Sequence, residues 1–407
     1  MKILIIGIDG LSLERIVADE RLDNFRRFMD VGVFGKLQSV VPATPIPAWL
    51  SMMASQDPGS LGVYGGEQRV DRSYEFRPAS HEGLTRHELD RFLGEGTKSI
   101  VIDVRPENSD SASEQWQAAL RNATDNEWNA FRLIDSHLDR LHHCVEEESA
   151  ESAIEEHYLF LDQQVGKILE AVDEQTILAV ISTHSLQRVD RTFFINRWLI
   201  EEGFLALKDS PTHLRRFDSN SVDWERTRAW STGGFYAPIF LNVKGREPQG
   251  AVKPTDMPAL LDEVAARLAK IPSGSNRPLE LQLLRPAEIY RETRGIAPDL
   301  LIRIDARITT SSAGEGDRVM AGVTDHYADI PRGAFLLAAP NSPLNGAYEG
   351  ADLLDMAPTL LDLAGVEIPT RMQGRSLVRG LDRPNRRSDE SEAERLIRDR
   401  LAGLGYV

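Results

Sequence analysis

The stretch from Ile3 to Ile8 is a nearly unbroken run of β-branched residues and Leu that stops at Asp9-Gly10. A strand with one wet face alternates apolar and polar residues. A run that is apolar almost throughout belongs to a strand covered on both faces, as in a parallel sheet sandwiched by helices. Residues 11–32 follow with Leu13, Ile16, Val17, Leu22, Phe25, Phe28 and Met29 at helix-like spacings, and with Asp19 to Arg21 as a candidate break. Apolar runs next to helical patterns recur at Ser99 to Val104, Thr176 to Ser182 and Gly333 to Ala339. This alternation predicts an α/β fold with a central, mostly parallel sheet and helices on both faces. Ligands of such sheets sit beyond the carboxyl ends of the strands. Asp9 and Thr183-His184 both fall where a strand ends.

With 407 residues the chain could bury one large core or divide into two domains. Hydrophobic residues at 41% and charged residues at 27% are globular values and favour neither a disordered nor a fibrous chain. The expected layout is one α/β domain over 1–378, with a polar, broken stretch at 62–126 as an abbreviated lobe and 208–295 as a peripheral subdomain. Residues 379–407 read as a solvated tail dominated by Arg, Asp and Glu. No internal repeat is present.

A net charge of −16 argues against holding a nucleic acid over a broad surface, because that binding rests on Lys and Arg neutralising phosphates. A small phosphorylated substrate stays open, since a few donors and metal ions in a pocket can hold one anionic group. The single cysteine, Cys144, rules out an intrachain disulfide framework and fits a reducing compartment. As a thiol nucleophile it has little around it beyond His142 and His143 to lower its pKa. The N-terminus shows no small-residue cleavage site, and no run of eighteen apolar residues occurs, so the expectation is a cytoplasmic protein without a membrane span.

Several polar residues are candidates for chemistry. Asp139 and His143, in Asp139-Arg-Leu-His-His143, lie four apart in a helical pattern, which puts them about 6 Å apart on one face, close enough to share a metal. Taken alone, a plain surface charge pair is the commoner meaning of this spacing. Asp9 could ligate a metal or cap the following helix. His184 lies after an apolar strand inside Ser182-Thr-His-Ser185, and His326 lies in Val323-Thr-Asp-His-Tyr-Ala-Asp just before another buried run; each alone would fit a structural histidine.

Taken together, these stretches resemble the type I phosphodiesterase and nucleotide pyrophosphatase branch of the alkaline phosphatase superfamily, over most of the chain. The likeness rests on the order and spacing of Ile6-Gly-Ile-Asp-Gly10, Val41-Pro-Ala-Thr-Pro-Ile-Pro-Ala-Trp49, Ser55-Gln-Asp-Pro-Gly-Ser-Leu-Gly-Val-Tyr64 and Asp139-Arg-Leu-His-His143. It continues through Val180-Ile-Ser-Thr-His-Ser185, Asn196-Arg-Trp-Leu-Ile-Glu-Glu-Gly203, Asn242-Val-Lys-Gly-Arg-Glu-Pro-Gln-Gly250 and Asp355-Met-Ala-Pro-Thr-Leu-Leu361.

The resemblance implies an alkaline-phosphatase-like fold and two neighbouring divalent ions, usually zinc, with manganese or magnesium as alternatives. It also implies a Thr or Ser that attacks phosphorus. One ion site maps onto Asp139, His143 and His326, and all three residue types are kept. The other maps onto Asp9, His184 and a carboxylate, but Thr183 stands where that carboxylate is expected, and a neutral hydroxyl holds a cation more weakly. The nucleophile position falls on Pro45, with Thr44 one residue earlier as the available hydroxyl. Two readings follow: a metal-dependent hydrolase of a small phosphodiester or phosphomonoester, or a degenerate member that keeps the fold for binding or regulation, or for a different single-metal reaction.

Overall fold

The computed structural model describes residues 2–79, 98–104, 109–125, 127–144, 147–208, 218–271, 280–304, 307–313 and 319–380. They form two compact units. The first comprises Met1–Asp57, Ser80–Leu186 and Asp329–Val407; the second comprises Pro58–Ala79 and Gln187–Ala328. Residues 381–407 of the charged tail lie outside the described residues.

The first unit is built on a seven-stranded sheet. Its strands in chain order are β1 (Lys2–Ile8), β2 (Val33–Gln38), β3 (Ser99–Val104), β4 (Ala130–Asp135), β5 (Thr176–Ser182), β6 (Arg332–Ala338) and β7 (Gly346–Asp352). Their spatial order is β7-β2-β6-β5-β1-β4-β3. β1 runs parallel to both neighbours, with Gly7 opposite Ile134 of β4 and Ile181 of β5. β3 is parallel to β4, and β7 to β2. Only β6 is reversed, lying antiparallel to β2 and to β5. This is the α/β architecture with a largely parallel sheet that the apolar runs predict.

Helices cover both faces. On one face lie α1 (Leu13–Ala18), α2 (Asp23–Val31), α4 (Ser109–Asp125) and α6 (Glu147–Ala171); on the other lie α3 (Pro45–Ala54) and α7 (Met356–Leu363). The break expected at Asp19 to Arg21 separates α1 from α2. In β1, Leu4, Ile6 and Ile8 pack against Phe25, Phe28 and the α6 stripe Ile154, Tyr158, Leu161, Val165 and Ile168. Ile3 and Ile5 point the other way, into the cluster that holds Trp49, Met52, Met356 and Leu360. Period-two alternation thus serves two cores at once.

Gly7 breaks that alternation for a steric reason. A Cβ there would sit 2.5 Å from the Trp49 ring, so the bare backbone makes room for the indole. α5 (His137–Cys144) follows β4 directly, and its first N–H groups would lack partners. The backbone N–H of His137 donates to Asp135 Oδ1 at 2.7 Å, and the Trp116 indole donates to Asp135 Oδ2 at 2.5 Å.

The second unit contains a four-stranded antiparallel sheet, Leu281–Leu284, Leu300–Ile304, Ala237–Leu241 and Ala229–Ser231 in spatial order. It packs with the helices Ile195–Glu201 and Met257–Leu268 around Trp198, Trp230, Phe240 and Val264. Arg69 and Glu247 form an ion pair at 2.8 Å inside this unit, with almost no exposure of either side chain. Among the described residues, no helix is long and apolar enough to cross a membrane.

His157 of α6 is buried with its ring stacked on Phe160 and edge-on to His137. Its Nε2 has no hydrogen-bond partner among the described residues. Burial holds its pKa down at about 3 against an ordinary 6.5. Between these values the unfolded chain binds the proton and the folded chain does not, so His157 lowers stability as the pH falls from 6.5 towards 3. Chemical denaturation should therefore show a wild-type protein that loses about 2 kcal/mol more than His157→Phe between pH 7 and pH 5. Equal pH dependence would mean that His157 takes up its proton as readily in the fold as in the unfolded chain.

Candidate functional site

The carboxyl ends of the adjacent strands β5, β1 and β4 lead into the polar residues of the first unit. Asp9 follows β1. Asp139 and His143 stand one turn apart on α5, just after β4. Thr183 and His184 follow β5. Because β6 is antiparallel, its entry rather than its exit lies at the same end: Ala334 pairs with Ser182, the last residue of β5. Asp329, three residues before β6, is thereby brought to the group.

The geometry is close. His143 Nε2 lies 3.5 Å from Asp139 Oδ1 and 3.4 Å from Asp329 Oδ1. His184 Nε2 lies 3.3 Å from Asp139 Oδ1 and 4.0 Å from Asp329 Oδ1. Asp139, His143 and Asp329 each offer a ligand atom, all within 4.8 Å of one another. Donors about 2.1 Å from a shared ion at tetrahedral angles stand about 3.4 Å apart, so this spacing fits a divalent cation. Carboxylates with imidazole also match the chemistry that zinc and manganese accept.

Asp9 stands apart from this triad. Its Oδ1 accepts a 2.7 Å hydrogen bond from Trp49 Nε1, and it is buried. Thr183 is fully buried, and its Oγ1 is 3.1 Å from His184 Nδ1. Ser182 Oγ donates to the His184 carbonyl at 2.6 Å and accepts from the Leu11 N–H at 3.1 Å, which ties the His184 backbone to the loop after β1.

Thr44 is the N-cap of α3, and Pro45 occupies the first helical position. Proline suits that position because its missing N–H would have no intrahelical partner. The Thr44 hydroxyl caps nothing, and its buried Oγ1 has no hydrogen-bond partner among the described residues. The same helix carries Trp49 to Asp9.

Electrostatics follow from this crowding. Burial, with Asp139 and Asp329 adding to it, pushes Asp9 up to about 7 against the pull of His184 and Trp49. Burial also opposes charge on Asp139, but the bonds to His143 and His184 outweigh it and hold that carboxyl below the usual range. For His143, burial is overcome by Asp139 and Asp329, and the ring rises to about 10. For His184, burial is overcome by Asp329, Asp139 and Asp9, and the ring rises to about 9.

The structure thus brings together Asp139, His143 and His184 from the sequence candidates, with Asp9 and Thr183 beside His184. His326 belongs to the strand Met320–Ile330, and its side chain lies outside the described residues, as does that of Cys144. Asp329 and Trp49 are additions that sequence reasoning did not single out. The signal for Asp329 was a carboxylate just ahead of an apolar run, which counts only once that strand is known to be antiparallel.

The family model for type I phosphodiesterase / nucleotide pyrophosphatase matches residues 3–103 and 100–328. Among solved structures, murine ectonucleotide pyrophosphatase / phosphodiesterase 5 is similar at a TM-score of 0.60 and 14% identity, over 94% of this chain and 99% of that one. An inactive variant of the murine protein in complex with AMP gives 0.59 at 15% identity, over 91% and 96%. The human protein of the same name gives 0.59 at 12%, over 91% and 96%. Identities this low establish the fold alone. No curated protein matches the sequence.

Since His143 and His184 are raised above neutrality, both rings hold their protons at pH 7, and any cation that took them as ligands would have to displace those protons. Zinc or manganese titrations in two buffers of different ionisation enthalpy should show one to two protons released per ion. The apparent affinity should rise as pH climbs from 6 to 8. The same raised values mean that the two rings stabilise the metal-free fold below pH 6.5, and that this contribution is lost as pH rises through 9 to 10. Affinity independent of pH would exclude these rings as ligands.

Proposed function

Because the chain belongs to the type I phosphodiesterase / nucleotide pyrophosphatase family, we propose that it is a metal-dependent hydrolase of a small phosphorylated compound, a phosphodiester or a phosphomonoester. The observation that carries this reading is the convergence of Asp139, His143 and Asp329 at ligand spacing beyond the carboxyl ends of the central strands. When bound, a divalent ion, with zinc the first candidate, supplies the Lewis acidity that stabilises charge on phosphoryl oxygens.

The chain's own residues take distinct parts. Asp139 and Asp329 bring the negative charge that holds the cation. His143 and His184 bring nitrogen donors once deprotonated. His326 is a further proposed ligand on the resemblance. Thr44 is the proposed nucleophile, a hydroxyl at the positive end of a helix with no competing partner. Its Oγ forms the bond to phosphorus while the bond to the leaving oxygen breaks, and water then releases the phosphoryl group from Thr44. Asp9, titrating near neutrality, is suited to hold or release a proton in either half of that exchange. The single cysteine supports a reducing, cytoplasmic setting.

The test is hydrolysis of bis(4-nitrophenyl) phosphate and 4-nitrophenyl phosphate, followed by nucleotide phosphodiesters, which the AMP complex of the murine neighbour brings to the front of the panel. Zinc or manganese should restore activity after chelation. Asp139→Asn should lower kcat/KM by roughly a hundredfold or more, and Thr44→Ala should lower kcat by about 100- to 10,000-fold while substrate still binds. Full activity of Thr44→Ala would point to water as the attacking group. No metal-stimulated hydrolysis across the panel would favour the degenerate, binding reading.

A further inference from the structure

We infer that Trp49 is a positioning residue for the Thr44 hydroxyl: seated on Gly7 and bonded through its indole N–H to Asp9, it holds the head of α3 in a fixed place relative to the carboxyl end of β1. The inference deepens the hydrolase reading and rests on it for Thr44 as the attacking group.

The Thr44 hydroxyl is not oriented locally. It makes no capping bond to α3, and its buried Oγ1 has no hydrogen-bond partner among the described residues. Its place is therefore set by how α3 is held. The far end of the helix is tied by Ser55, whose Oγ donates to the Leu354 carbonyl at 2.6 Å and accepts from the Gly374 N–H at 3.0 Å. Nearer the head, the tie is Trp49. This residue is 1% exposed, and a buried indole N–H calls for an acceptor. It finds Asp9 Oδ1 at 2.7 Å.

The register of β1 makes that bond possible. The Asp9 N–H donates to the Asp135 carbonyl at 2.9 Å, which carries the ladder with β4 one residue past the end of β1. Period two then puts Gly7 and Asp9 on the face where Ile3 and Ile5 join the Trp49 cluster. A Cβ on Gly7 would stand 2.5 Å from Cη2 and 2.6 Å from Cζ2 of the indole, so the bare backbone is what lets the ring lie against the strand with its N–H at Asp9. An indole turns about two torsions only, and one held at both of its rings is a stiff strut. A displacement of about 1 Å at an attacking group costs on the order of 100-fold in rate, so such a strut matters to turnover.

The test is single-turnover hydrolysis of bis(4-nitrophenyl) phosphate by the zinc-supplied full chain in excess, with hydrogen exchange followed on the same proteins. Trp49→Phe keeps an aromatic ring but loses the N–H and the far ring that reaches Gly7. It should slow first-order release of 4-nitrophenolate about 10- to 100-fold at full amplitude, with substrate affinity within about threefold of wild type. Gly7→Ala should slow release comparably, yet add less than about threefold in the Trp49→Phe background, because both act through one ring. A merely structural role would lower the amplitude, which counts intact chains, and leave the rate constant alone. The Ala48 amide, whose bond to the Thr44 carbonyl closes the first turn of α3, should exchange about fivefold faster or more in Trp49→Phe while α2 is unchanged. An unchanged rate constant, a loss confined to amplitude, or additive losses for the two substitutions would each overturn the inference. A wild-type protein that hydrolyses nothing would sink the hydrolase reading instead. Exchange is read without turnover, so faster Ala48 exchange would then keep the strut, and unchanged exchange would overturn it as well.

Discussion

Two partly buried carboxylates, Asp139 and Asp329, meet at one end of the sheet with the buried Asp9 close enough to feel their charge, and the first unit is arranged around keeping them there. At an effective dielectric of 20, like charges 4 Å apart repel by about 4 kcal/mol. Asp139 and Asp329 are balanced by His143 and His184, each within about hydrogen-bonding or ion-pair range. Asp9 is eased by the Trp49 indole and by a pKa raised to about 7, which lets it shed its charge near neutrality. The imidazolium rings thus meet the electrostatic demand that the neighbouring carboxylates create.

Topology delivers those groups. Strands β5, β1 and β4 are parallel and adjacent, so their exits crowd together and place Thr183-His184, Asp9 and the start of α5 within reach of one another. The reversed strand β6 adds Asp329 from its entry side. On the opposite face from α6, Gly7 admits the Trp49 ring, and so fixes α3 and the Thr44 at its head relative to the end of β1. A glycine in a buried strand looks like a weakness until the indole it accommodates is seen.

Much of this was legible in the sequence where one residue type dominates a period. The runs of β1, β3 and β5 name their own strands, and the i,i+4 pair Asp139 and His143 names its own helix face. β4 was harder: Arg132 interrupts Ala130–Asp135, yet it is 1% exposed, and a buried arginine in a central strand defeats any reading of hydropathy. Strand direction was not legible at all, since an apolar run carries no arrow, and Asp329 went unranked for that reason. Trp49 was not singled out, because nothing in sequence tells which way an indole N–H will turn. At Pro45 the substitution that looks like damage to a nucleophile site is a good first residue for α3, and the hydroxyl before it is left unengaged.

Thr183 shows how one side chain can alter the character of a whole centre. An aspartate there would add a further carboxylate to the crowd. A threonine adds no charge, and Asp9, with its pKa raised to about 7, can stay protonated near neutrality. The hydroxyl also does what a carboxylate would do less neutrally, holding Nδ1 of His184 without pulling charge towards itself. Charge count and ring orientation therefore change together with this one residue.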